Sequence, residues 1–598
     1  MTTYHIDFEP VGRRGLCDSR QSLLEAARQL SVELVSICGG VGSCARCKVQ
    51  VVAGKVSEPT LDEQAALSPH ELAHGYRLAC QAYPLSDVKL HVPPESLSAL
   101  QRTQVEGLEV EVTPESPVRT YDVILEQPTL ERPVSDEQNL WAALARQHGL
   151  PPGSIDLGVQ QRLAQQVRAN DWRVRVGLRG REIVAAGTQT APWLGLAVDI
   201  GTTKIAAYLL ELESGRRLAS KGLMNPQISY GEDVIARIVA ANASPENAAR
   251  LQRLLVEALN QATFDLCSEA NAQPEQVAEA VVVGNTAIHH LFLRLPVKQL
   301  GMAPYVPATQ SALEVRARDL GLQLAPGAMI YLLPNIAGYV GADHVAMLLA
   351  TRTAQAEKTR LAIDIGTNTE ICLKHGERMT SVSCASGPAF EGAHIKFGMR
   401  AAPGAIEHMR LEGERVEIQT IGNQPAAGIC GSGLLDIVAQ LRLNEVLERG
   451  GRLGKHARVR VSGSGPEFVL AERAGQEAIV LTQKDVRELQ LAKAAIRMGI
   501  QALVEAEGIA EADIEEVMIA GAFGTFIDVE SAITIGMLPR LPLERYQQVG
   551  NAAGSGARLA LISTSMRAEA VKLAERVGYI ELASMPNFNR KFAEATYL

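Results

Sequence analysis

LAVDIGTTKIAAYLLEL, residues 196–212, and LAIDIGTNTEICLKHG, residues 361–376, are the stretches on which the fold turns. Each reads as an apolar strand, then Asp-x-Gly-Thr, then a second strand. The copies share V/I-D-I-G-T, and their aspartates, Asp199 and Asp364, stand 165 residues apart. A repeat at that distance means two related subdomains rather than a solenoid. Gly201 and Gly366 let the turn approach a phosphate without a Cβ in the way. The N–H and hydroxyl groups of Thr202, Thr203 and Thr367, with the N–H of Asn368, can donate to phosphate oxygens. Asp199 and Asp364 end their strands, where a carboxylate holds Mg2+, often through water. One such turn is commonly a plain hairpin; two copies with the same flanks point to phosphate binding.

Further glycine turns surround these hairpins. VMIAGAFGTFID, residues 517–528, is a strand ending in a Gly-rich turn that resembles the adenosine motif of acetate and sugar kinases, heat-shock chaperone ATPases and actin, which implies that Gly521 and Gly524 let the backbone pass close to a base and ribose. Gly431 and Ser432 in GICGSGLLDIV, with Gly284, Gly338, Gly341 and Gly387, follow apolar strands or open helices, a setting suited to anions. The helices after Gly341 and Gly433 are expected to link two lobes. Glu370 and Glu391 are candidates to orient an attacking water, and Asp199, Asp364 and Glu370 form the candidate catalytic set. Asp343 and His344 either touch Mg2+ or simply start a helix. His289 and His290 read as packing residues, and Lys493 as a solvated helix residue within reach of a nucleotide. The arrangement resembles the superfamily of acetate and sugar kinases, heat-shock chaperone ATPases and actin. That resemblance implies a duplicated actin-like ATPase fold over 194–598, phosphate motifs at 197–204 and 362–369, and ATP clamped between two lobes.

Four cysteines lie upstream. Cys38, Cys44 and Cys47 stand in CGGVGSCARC, and Cys80 follows in RLAC. C-x5-C-x2-C with a distant fourth thiolate is one residue longer than the plant-type [2Fe–2S] pattern. A four-cysteine zinc site is the alternative, but such sites show two short pairs. Residues 3–10 alternate as a strand, 22–30 form a helix, and 48–57 read as a hairpin turning at Gly54. This order resembles a plant-type ferredoxin, a β-grasp domain, over 1–94. Cys17, Cys267, Cys372, Cys384 and Cys430 have no such spacing and read as buried apolar residues.

Residues 95–118 carry Pro114, Pro117 and few large apolar side chains, and read as a flexible linker spanning about 26 Å. Residues 119–193 read as a small α/β middle domain without a ligand motif. The whole is therefore multidomain α/β, as 598 residues require. Net charge is −9 with no basic block, so nucleic acid is not an expected partner. No apolar run is long enough to span a membrane, and the start lacks a signal-like apolar core, so a cytoplasmic location is expected.

Ferredoxin domain, linker, small domain and duplicated ATPase, in that order, resemble the reductive activators of corrinoid-dependent enzymes across essentially the whole chain. The resemblance implies a homodimer, docking of a corrinoid protein or corrinoid-dependent methyltransferase, and an upstream electron donor. It also implies ATP-dependent transfer of one electron to inactive Co(II), restoring Co(I). Related activators carry [4Fe–4S] clusters near the C-terminus, where this chain has no cysteine. Two alternatives lie open: a small-molecule kinase of the same superfamily, or an ATP-clamp binding protein, either with a redox-sensing iron–sulfur domain.

Overall fold

Strand Leu194–Ile200 is buried along almost its whole length, as expected at the centre of a sheet covered on both faces. It pairs antiparallel with Lys204–Glu211 and parallel with Val277–Gly284. The sheet runs Arg217–Met224, Lys204–Glu211, Leu194–Ile200, Val277–Gly284, Met329–Leu332, Leu313–Arg316. A second sheet runs Gly578–Tyr579, Arg378–Cys384, Thr369–His375, Arg360–Ile365, Glu516–Ala520, Tyr546–Gly550. In each, three strands form an antiparallel meander and two more join in parallel beside the first strand. The repeated sequence is a repeated topology. These features come from a computed structural model, which describes all residues except 1, 10, 31, 33, 35–41, 43–46, 94–95, 97–105, 232, 393, 464, 474–476 and 522.

Helix Ala342–Ala350 follows the first sheet, and helix Ala552–Ile562 follows the second. They pack directly on each other at Gly556, where an added Cβ would lie 2.0 Å from the Ala346 carbonyl oxygen. The core of the first lobe runs through both helices. The other expected lobe-linking helix, Gly431–Leu443, lies instead on strand Ala405–Glu412 inside the second lobe. Its Asp436 carboxylate accepts the Met409 N–H (2.7 Å) and the Ser531 hydroxyl (2.8 Å), which fix it there.

The N-terminal sheet runs Arg13–Asp18, Thr3–Glu9, Val88–His91, Lys48–Ala53, Tyr76–Leu78, and helix Leu23–Gln29 buries its apolar side chains in the core of this unit. Thr3–Glu9 and Val88–His91, its first and last strands in the chain, pair in parallel. The expected hairpin over 48–57 does not form. Lys48–Ala53 pairs with Tyr76–Leu78 and Val88–His91, and Val56 bridges to Pro84. The partners of this strand thus come from segments distant in sequence. A separate four-stranded sheet runs Val118–Ile124, Arg173–Arg179, Glu182–Gly187, Ser154–Ile155. Helices Asp136–His148 and Leu157–Ala169 cover it, with Leu140, Leu144, Leu163 and Val167 in the shared core.

This small unit is tied to the first lobe by charge pairs. Glu279, fully buried, accepts from Arg179 (3.0 Å) and from Arg567 (2.8 Å). Arg318 reaches Asp156 (2.8 Å) and Arg316 reaches Glu182 (2.6 Å). The stretch expected to be a flexible linker is anchored over its described second half. Gly107 bridges to Gly550 and Glu115 to Ser563, and Glu109 pairs with Arg558 at 2.9 Å. Leu108, Val110 and Val112 pack against the first-lobe core. Alternating apolar residues, not the two prolines, decide this segment's conformation. Among the described residues, no helix is long and apolar enough to cross a membrane.

Within the N-terminal unit, Glu63 is buried and takes two bonds from Arg77 (2.9 and 2.7 Å) and one from the Leu78 N–H (2.9 Å). Arg77 also donates to the Ser57 and Glu58 carbonyls. This network fixes the strand that leads into Cys80. Glu63→Ala leaves the Arg77 charge buried and unpaired, and should destabilise the N-terminal domain by about 3–5 kcal/mol. Calorimetry of the full chain should show the N-terminal transition moved down with the ATPase lobes unmoved; an unmoved first transition would contradict the role of this pair.

Candidate functional site

The two hairpins meet at one cleft between the lobes. Thr203 and Thr367 touch through their hydroxyls at 3.2 Å. Asp199, Gly201, Thr202, Thr203, Asp364, Gly366, Thr367, Asn368, Glu370, Gly431, Ser432 and Gly521 all line this cleft. Gly524 does not; it packs back on the Ala520 carbonyl, where a Cβ would lie 2.2 Å away. Gly341 is likewise a packing glycine, set against the Asn285 backbone with its Cβ position 2.4 Å from the Asn285 Cα. Two glycines in the cleft are required by close approach. A Cβ on Gly201 would sit 2.7 Å from the Lys204 carbonyl oxygen, so the first turn closes only without one. Gly521 has φ +93°, and its Cβ would meet the Asp364 carboxylate at 2.6 Å.

Carboxyl groups crowd the cleft. Asp364 and Glu370 are direct cross-strand partners, a placement that sets like charges against each other. The matching partner of Asp199 in the first hairpin is Ala206. Asp343, in the first turn of helix Ala342–Ala350, adds a further acid and accepts the His344 N–H at 2.8 Å. Burial raises Asp199 to about 6, against the hydrogen bond from Asn551. Burial, then the charge of Asp199, raises Asp364 to about 7. Asp343 is raised by burial and by Asp199 and Asp364; Glu370 is raised by burial and by Asp343 and Asp364. Glu391 is raised by burial, opposed by the Thr367 hydroxyl that donates to it at 2.6 Å.

Among the described residues, no three metal-ligating side chains converge on one point. A divalent cation here therefore fits as one shared with phosphate oxygens and water, the usual manner of Mg2+ at phosphates. Two asparagines outside the D-I-G-T motifs support the hairpin side chains. Asn285 caps helix Thr286–Leu293 and donates to the Thr202 hydroxyl at 3.0 Å. Asn551 caps helix Ala552–Ile562 and donates to Asp199 at 2.9 Å. Both stand in Val-Gly-Asn, at 283–285 and 549–551, a repeat that marks them in the sequence. Lys204 and Arg400 bring positive charge to the lining.

Several candidates lie elsewhere. His344 bonds Ser381 at 3.0 Å and does not line the cleft. Lys493 is not a solvated helix residue: it is buried and donates to the Tyr597 carbonyl at 2.5 Å. His289 and His290 are buried. Cys17, Cys267, Cys372, Cys384 and Cys430 are buried too, and burial raises their thiols.

Cys38 and Cys44 lie outside the described residues. Cys47 and Cys80 are both buried, and the Ala79 N–H donates to the Cys47 carbonyl at 2.9 Å. The Gln81 amide donates to the Cys80 sulfur at 3.9 Å. Buried sulfurs on adjoining segments, with an amide donor at one of them, suit an iron–sulfur cluster.

Fold and site together define a ferredoxin-type iron–sulfur domain joined to a two-lobed nucleotide-binding ATPase. Four family descriptions match in chain order: a 2Fe-2S iron-sulfur cluster binding domain at 7–85, the RACo linker region at 107–189, the RACo middle region at 194–356, and the C-terminal domain of RACo, the ASKHA domain, at 358–598. The chain belongs to the RACo family. It is 36% identical over 425 residues to the corrinoid activation enzyme RamQ of Eubacterium limosum, covering 69% of this chain and 71% of that protein. It is 26% identical over 430 residues to the [Co(II) methylated amine-specific corrinoid protein] reductase of Methanosarcina barkeri, covering 66% and 75%. A solved reductive activator for corrinoid, iron-sulfur protein matches with TM-score 0.73 and 33% identity, over 100% of this chain and 98% of that one.

The raised carboxyls have a pH signature. The folded-state values of Asp199 and Asp364 lie above the 3.8 of an ordinary aspartate, so the stability they contribute is full below about pH 4 and lost as pH rises through 6–7. The thermal midpoint of the nucleotide-free protein should therefore fall as pH rises from about 5 to about 8. Mg-nucleotide bound here would favour the ionised forms, so its binding near neutral pH should release protons, read as a calorimetric heat that varies with buffer ionisation enthalpy. Asp364→Asn should reduce that release; equal release in both proteins would contradict the assignment.

Proposed function

We propose that this protein is an ATP-dependent reductive activator, which passes one electron to the Co(II) corrinoid of a methyltransferase system and restores Co(I). The observation that carries this reading is the union, in one chain, of a four-cysteine ferredoxin domain and a carboxylate-lined interlobe cleft, in the same order as a reductive activator matched over the full length. Held by Cys38, Cys44, Cys47 and Cys80, a [2Fe–2S] cluster supplies a one-electron carrier, for which plant-type centres sit near about −400 mV.

The chain's own residues do the rest. Asp199 and Asp364 would hold Mg2+, with Asn551 orienting Asp199. Thr202, Thr203, Thr367 and Asn368 donate to phosphate oxygens, and Gly431, Ser432 and Gly521 let nucleotide approach the backbone. Glu370, once ionised, would orient the water that attacks the γ-phosphorus and accept its proton as the bond to the leaving ADP breaks. A shortfall of ~100 mV against a lower-potential acceptor costs roughly 2.3 kcal/mol per electron. Closure of the lobes on nucleotide supplies a coupling of that size. A homodimer docks the corrinoid protein in the cytoplasm, and a separate donor refills the iron–sulfur domain.

Asp364→Ala should bring corrinoid reduction down to its ATP-free level while leaving the visible spectrum of the iron–sulfur domain unchanged. Anaerobic absorbance of the corrinoid partner reads the first and the protein's own spectrum reads the second. ATP-dependent reduction that survives the substitution would falsify the assignment of the cleft.

A further inference from the structure

Arg400 stands at two places at once. It lines the interlobe cleft, as Thr367, Glu391 and Ser432 do. Its Nη1 also donates to Glu9 of the N-terminal domain at 3.2 Å. Both side chains are buried, Arg400 at 8% and Glu9 at 0% exposure. The Arg400 Nε has no partner among the described residues, so the fork retains donor capacity. Beside it, Arg13 donates to the Gly398 and Ala427 carbonyls (3.3 and 3.1 Å), fastening the same N-terminal turn to the same lobe.

We propose that Arg400 is a nucleotide-phosphate ligand that exchanges Glu9 for a phosphate oxygen, so that nucleotide loosens the ferredoxin domain from the second lobe. This rests on the nucleotide reading of the cleft. A guanidinium pairs bidentately with a phosphate group, and it cannot serve Glu9 and a phosphate in the cleft with the same donors. Glu9 then keeps Arg14, which contacts it at 3.4 Å within its own domain. Release of the domain and binding of nucleotide are linked, so each changes the other by the same factor.

The test is calorimetric titration of Mg-ATP into full-length protein carrying its cluster, with Glu9→Gln, Arg400→Gln and Arg14→Gln as variants. Glu9→Gln removes the competitor and should tighten Mg-ATP about tenfold, while Arg400→Gln should weaken it about tenfold or more, the scale of one charged hydrogen bond. Arg14→Gln leaves the released Glu9 without that partner and should weaken Mg-ATP by less than Arg400→Gln does. A pair with only a structural role would predict the opposite sign for Glu9→Gln, or no change, and either result overturns the proposal. Hydrogen exchange on the unaltered protein gives an independent reading: Mg-ATP should speed exchange in Thr3–Glu9 and Arg13–Asp18, and unaltered exchange there overturns the proposal even if a variant misfolds. If the unaltered protein binds no Mg-ATP, the nucleotide reading itself fails; if it binds and Glu9→Gln binds equally, only the Arg400 exchange fails.

Discussion

Asp199, Asp343, Asp364 and Glu370 share one buried cleft, and burial first, then like charge at Asp343, Asp364 and Glu370, raises their carboxyls above the ordinary range. A magnesium-bound polyphosphate would reverse that balance, because a cation favours the ionised forms. The strain is built into the hairpins: the register that places Asp364 opposite Glu370 belongs to the strand pairing itself. Duplication supplies the second aspartate, Asp199, from the other lobe, so it joins Asp364 and Glu370 only where the lobes face each other.

The elements around the cleft join it to the other parts of the chain. Helices Ala342–Ala350 and Ala552–Ile562 contact through Gly556, with Asp343 at the start of one and Asn551 at the start of the other. The segment 106–116 runs along the second of these helices and ties Glu109 to Arg558. The small α/β unit is fixed to the first lobe through Glu279, Asp156 and Glu182. The ferredoxin domain reaches the second lobe through Arg13 and the Glu9–Arg400 pair. Charge at the cleft thus has a short physical path to the redox domain.

Much of this is legible in the chain. Paired D-I-G-T turns imply two lobes because the same spacing of strand, acid and glycine recurs with the same flanks. Four cysteines in C-x5-C-x2-C…C point to a cluster by ligand spacing. What stays hidden is built by distant contacts. Asn285 and Asn551 act on Thr202 and Asp199 across the fold, and their Val-Gly-Asn repeat reads locally as a helix cap. Asp343 reads equally well as a helix start. Arg400 lies in an irregular stretch with no motif. The alternation in GLEVEV, residues 107–112, marks an ordered segment that the neighbouring prolines disguise. The hairpin expected at Gly54 fails because strand partners come from far along the chain rather than from the adjoining residues.

On the proposed function, nucleotide in the interlobe cleft is what would let an otherwise unfavourable electron transfer proceed. Mixing the reduced full-length protein anaerobically with a Co(II) corrinoid protein, with and without Mg-ATP, and following Co(I) absorbance puts this dependence to the test. Co(I) should accumulate with Mg-ATP and form only slightly without it. Equal Co(I) in both arms would contradict the coupling.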